Sequence, residues 1–212
     1  MANLMSAALM LEATRMIDDG FDVATVEEAA KKAFGLSQGF LAKIDELGIP
    51  DVVDFMEYLS DTSDAENDLA PIYDNFFTPS RSLEEIHEKH RAAEEKADVA
   101  WVSEKEADKT VYDFMLVETL GQRFKAIAFM ATTELVDSGI VELPDLEKYC
   151  TNELEWKEGP FTMMNAMGVD EALKIVTERM FFSHRKEINF PVSRLLITQA
   201  QKNTPWLVYP KN

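Results

Sequence analysis

A long tract of this sequence occurs twice. GFDVATVEEAAKKAFGLSQGFLAKIDELGIPD, which begins at Gly20, returns as GIVELPDLEKYCTNELEWKEGPFTMMNAMGVDEA from Gly139. Gly20 and Gly139 stand 119 residues apart, whereas Gly39 and Gly159, Asp45 and Asn165, and Gly48 and Gly168 stand 120 apart. One inserted residue accounts for the change. Further on, Phe77-Thr78-Pro79-Ser80-Arg81 is answered by Phe190-Pro191-Val192-Ser193-Arg194. Recurrence in the same order over most of each half implies two copies of one folding unit, residues 1–100 with a linker helix and residues 101–212. Each copy then has the size of a small domain.

Both copies read as helical. Met5, Leu9, Ala13, Met16 and Ile17 form an apolar stripe at helical spacing before Gly20, which predicts a helix over about 4–19. Phe124, Ala128, Ala131 and Leu135 repeat the stripe before Gly139. Thr25 with Glu28 has capping-box spacing, and Pro144-Asp145 opens the corresponding tract, so short helices are expected near 25–33 and 144–151. Apolar turns should run from Gly39 to Gly48 and from Gly159 to Gly168, followed by helices over 50–60 and 169–183. Ser60 to Asp64 reads as an acidic turn. The charged run from Leu83 should form one or two solvated helices linking the copies, and the two prolines after Lys202 suggest an irregular tail. No tract alternates as a strand does, so the fold class is all-α, with the two copies packed as a pseudo-dimer.

Charge and cysteine content restrict the function. Hydrophobic residues make up 46% and charged residues 28%, which fits a folded soluble chain. With 39 acidic against 21 basic residues the net charge is −18, a field that repels nucleic acid and disfavours phosphate-rich cofactors without a local basic pocket. The opening MANLMSAALML has no basic lead, and Glu12, Arg15 and Asp18 interrupt it too early for a membrane span or secretory signal. Cys150 is the single cysteine, so no internal disulfide forms; a reducing cytoplasm and a structural thiol are expected. His87 and His90, with Glu84, Glu88 and Glu94 nearby, have a spacing that could hold a metal, but such a run is more often a solvated helix face, and no metal site is expected. His184 suits a helix end. Met163, Met164, Met167 and Met180 could line an adaptable pocket, yet beside Phe161, Leu173 and Phe181 they read first as core.

The order of a long helix, a glycine, a short helix opened by Thr-Val-Glu-Glu or Pro-Asp, then Gly-Phe or Gly-Pro-Phe resembles the C-terminal domain of 3-hydroxyacyl-CoA dehydrogenases. Gly159-Pro160-Phe161 with Asn165 and Gly168 is similar to that family's Gly-Pro-Phe-x-x-x-Asp-x-x-Gly signature, and Gly39-Phe40 with Asp45 and Gly48 is a diluted form of it. In the family this helical unit follows an NAD-binding domain that carries the catalytic His–Glu pair; it supplies the contact between subunits and one wall of the acyl-CoA cleft. No Gly-x-Gly-x-x-Gly follows a strand in this sequence, so no pyrophosphate cradle is encoded in it.

The resemblance places Asn3 at the family's Asn, which faces substrate and nicotinamide, and Glu12 at a second family position, while Leu4 replaces the family's Arg. Gln122-Arg123 occupies the pair in the second copy. A carboxamide can donate to a substrate oxygen without adding charge; otherwise Asn3 is an ordinary residue near a helix start. The resemblance implies a subunit that is inert alone, has no complete catalytic set and no bound cofactor, and completes an acyl-CoA cleft for a separate NAD-binding subunit. That pair would interconvert a 3-hydroxyacyl-CoA and a 3-oxoacyl-CoA, as in fatty acid β-oxidation, with self-association of the chain a further option. The rival reading is a non-catalytic scaffold or regulator that retains the fold. Met1 and the tail lead to the expectation of a self-standing chain rather than a fragment of a longer dehydrogenase.

Overall fold

The computed structural model describes residues 2–61, 75–93, 99–103 and 111–208, the side chains of Ala2 and Asn3 excepted. These residues form ten helices and no strand. In chain order they are α1 (Ala2–Asp18), α2 (Val23–Phe34), α3 (Phe40–Leu47), α4 (Ile49–Ser60), α5 (Arg81–Ala92), α6 (Phe114–Asp137), α7 (Leu143–Asn152), α8 (Pro160–Met167), α9 (Val169–His184) and α10 (Arg194–Lys202).

The two long helices that open the halves form the centre. In α1 nearly every side chain from Leu4 to Met16 is buried, and in α6 burial is almost continuous from Phe124 to Leu135. A helix that is apolar on all sides must be enclosed on all sides. α1 and α6 pack on each other; α2, α8, α9 and α10 cover α6, while α2, α3 and α5 cover α1. The result is one continuous hydrophobic core built from both halves. Phe34 of α2 stacks on Trp156 with ring centroids 4.3 Å apart, its carbonyl accepts the Lys157 N–H at 2.8 Å, and Phe40 meets Phe124 at 5.2 Å. The division at residue 100 therefore separates two runs of helices in sequence, not two cores.

Several local expectations change. Asp22, not Thr25, caps α2: its carboxylate accepts the Thr25 N–H at 3.0 Å and the Thr25 hydroxyl at 2.7 Å. Glu28 instead pairs with Lys31 at 2.8 Å. The tracts expected as apolar turns are the full helices α3 and α8, each joined to the next helix through a single residue, Gly48 or Gly168. Their φ angles of 96° and 97° lie where side chains are rarely tolerated, so glycine is required for so abrupt a junction. Ser80 and Ser193 are N-caps, accepting from the N–H groups of Leu83 and Leu196, so the Phe-to-Ser-Arg echo marks the starts of α5 and α10. α5 buries Leu83 and Ile86 and is not wholly solvated. Phe181 is exposed at 60%, not core. Residues 62–64 of the acidic turn, and 94–98 and 104–110 of the linker run, lie outside the described residues.

Candidate functional site

Two buried glutamates fix the motif glycines. Glu27 of α2 accepts the Gly39 N–H at 3.0 Å and the Leu41 N–H at 2.7 Å; Glu147 of α7 accepts the Phe161 N–H at 2.9 Å and the Thr162 N–H at 3.0 Å, along with the Thr162 hydroxyl. Each carboxylate thus satisfies orphan donors at the start of α3 or α8, where a side chain of the helix itself would ordinarily do so. A Cβ on Gly39 would lie 2.5 Å from Glu27, and one on Gly159 would lie 2.2 Å from Glu147, so the carboxylate occupies the space of the missing side chain. Burial raises the Glu27 pKa even against its backbone donors.

The motif's Asp-or-Asn position is also spent on backbone. Asp45 accepts the N–H groups of Trp101 at 2.8 Å and Val102 at 2.9 Å, and Asn165 accepts the Trp206 N–H at 2.7 Å and donates to its carbonyl at 3.1 Å. Each pins a buried tryptophan beside the short helix. At the end of α1, Asp18 accepts from Arg81 N–H and Ser82 N–H; at the end of α6, Asp137 accepts from Leu195 N–H.

The centre of the molecule holds an ion network that joins α1, α6 and α9. Glu12 is fully buried, with Oε2 at 2.7 Å from Arg179 Nη2 and Oε1 at 2.9 Å from Arg123 Nε. Arg123 continues to Asp19 at 2.9 Å, which also takes Lys186. Arg15, on the same helix as Glu12, donates to the Phe76 carbonyl and lies 5.0 Å from that ring's centroid. Burial pushes Arg15 down to about 10. Burial alone would raise the Glu12 pKa, but Arg179 and Arg123 outweigh it and hold the group below its ordinary value; Lys186 and Arg123 do the same for Asp19 against its partial burial.

Two openings flank this centre. A cavity of about 460 Å³ is lined by Ser6 and Leu9 of α1, Gly39 and Phe40 at the start of α3, and Leu154 and Trp156. A second, of about 200 Å³, lies between α6 and α9 and reaches Gln122, Arg123, Ala126, Ile175, Arg179 and Phe182. Asn3 stands in the first turn of α1, one helical turn before Ser6, and its side chain lies outside the described residues. Gln122 and Arg123, a carboxamide followed by a basic residue where the first half has Asn3-Leu4, both line the second cavity.

Among the described residues no three His, Cys, Asp or Glu side chains are grouped as metal ligands; His87 and His90 lie on α5, and Glu94 lies outside the described residues. His184 ends α9 and is exposed. Cys150 is buried, and burial pushes its thiol up to about 12, which leaves it a poor nucleophile. Met163 and Met164 are core, with Met167 and Met180 half-buried around it. No described helix is long and apolar enough to cross a membrane.

Residues 1–96 match the family model described as 3-hydroxyacyl-CoA dehydrogenase, C-terminal domain. That span is a little under half of the chain and encloses α1 through α5, with Glu12, Glu27, Gly39, Asp45 and Gly48. No curated protein and no solved structure matches the chain.

Glu27, Glu147 and Arg179 are the site residues that sequence reading missed. The first two had a signal, since each precedes its motif glycine by twelve residues (27 to 39, 147 to 159). Arg179 had none, because its partner Glu12 is 167 positions away.

Proposed function

We propose that this chain is a helical subunit of a 3-hydroxyacyl-CoA dehydrogenase, built from two copies of the family's C-terminal unit, residues 1–100 and 101–212. It completes the acyl-CoA cleft and the oligomer contact of a separately encoded NAD-binding subunit, and the assembled enzyme interconverts 3-hydroxyacyl-CoA and 3-oxoacyl-CoA. The family match over residues 1–96 carries this reading. It is supported by the paired use of Glu27 and Glu147 to seat Gly39 and Gly159, and of Asp45 and Asn165 to hold Trp101 and Trp206. The glutamates, the glycines and the Asp45–Asn165 positions recur at the 120-residue offset, as expected of a duplicated unit, while the tryptophans they hold stand 105 apart.

In this reading Asn3 is the substrate-facing carboxamide, and the opening lined by Ser6, Leu9 and Phe40 continues the cleft wall. NAD and the general base belong to the partner. The second reading, a scaffold or regulator, draws on Leu4: where the family has Arg, a buried leucine stands. Co-expression with a short NAD-domain protein encoded nearby, followed by a 3-hydroxyacyl-CoA oxidation assay, separates the two. The chain alone should show no turnover and the complex should show activity. Asn3→Ala should lower the complex's kcat about a hundredfold. An unchanged rate with intact assembly would favour the scaffold, and turnover by the chain alone would contradict the division of labour.

A further inference from the structure

We draw no further inference here: the strongest candidate, the cavity between α1, the start of α3 and the loop after α7, with exposed Glu153 and Glu155 in its lining, belongs to the cleft wall already described, and nothing in the structure besides that acidic pair points to a ligand of its own.

Discussion

Removing the Glu12 carboxylate should be among the most damaging single changes available. Glu12 is wholly buried and holds two guanidinium groups, at 2.7 Å through Arg179 and 2.8 Å through Arg123. Glu12→Ala deletes the sole carboxylate between them while leaving both cations inside the protein. Breaking one side of a buried pair costs about 3–5 kcal/mol, because the remaining charge keeps its desolvation penalty without its Coulomb return. For a chain of this length each kcal/mol lowers Tm by about 2–4 °C, so the variant should melt roughly 6–20 °C below the parent. The ion network, and not the volume of the side chain, is held responsible, and a second variant checks this. Glu12→Ala combined with Arg123→Leu and Arg179→Met removes Glu12 together with both of its guanidinium partners, while Asp19 keeps Lys186 and Arg15 keeps the Phe76 carbonyl, and should recover much of the loss, since replacing all partners of a buried pair by apolar groups is often neutral. Urea and thermal unfolding of the three proteins decide it. A single-variant cost under about 1 kcal/mol, or a triple variant no more stable than the single, would refute the reasoning.

Other expectations follow from individual contacts. Gly159→Ala places a Cβ 2.2 Å from the Glu147 carboxyl carbon, so the carboxylate must leave its two α8 N–H donors; urea unfolding should show a loss of about 3 kcal/mol, although Gly159 has an ordinary φ of −74°. Cys150, buried with its thiol pushed up to about 12, should resist a disulfide exchange reagent at pH 8 in the folded protein and react at once in denaturant; fast labelling of the native state would contradict its placement. Stability should fall as the solution is acidified below about pH 4, because Glu12 and Asp19 have folded pKa values beneath their unfolded ones and their contribution, complete above the unfolded values, is lost as pH drops through the folded ones. Glu27, raised by burial, works the other way and should make the urea midpoint slightly higher at about pH 5 than at pH 7. A midpoint that rose steadily down to pH 3 would contradict the depressed values.

Helix positions were legible because they rest on local patterns. The stripe from Met5 to Ile17, stopped by Gly20, gave α1 within two residues, and Pro144 marked the first turn of α7. Cap identity was less so: Asp22 and Thr25 are both capping residues three positions apart, and the choice between them depends on where the chain leaves the Gly20 turn, in which the Phe21 N–H still bonds the Met16 carbonyl at 3.2 Å. The Gly39 and Gly159 motifs were visible as letters but not as geometry, since the glutamate that fills each glycine's missing Cβ comes from the preceding helix. Long-range pairing set the limit. Nothing local links Glu12 to Arg179 or Asp45 to Trp101, and the cavity between α6 and α9 exists only once those helices are packed.

The buried network also bears on why the two halves differ at their centres. Under the proposed duplication the offset of 119 maps Arg123 onto Leu4 and Glu12 onto Ala131. At one pair of related positions an arginine and a glutamate meet at 2.8 Å; at the other, both members are apolar, and both are buried. An unpaired guanidinium or carboxylate at either place would carry the full penalty of buried charge, whereas a complete pair and a complete apolar substitution are both tolerated. The mixed states are the costly ones, and the sequence contains neither. Under the proposed duplication Leu4 and Ala131 are the buried apolar counterpart of that ion pair, which is compatible with the substrate-facing role proposed for Asn3.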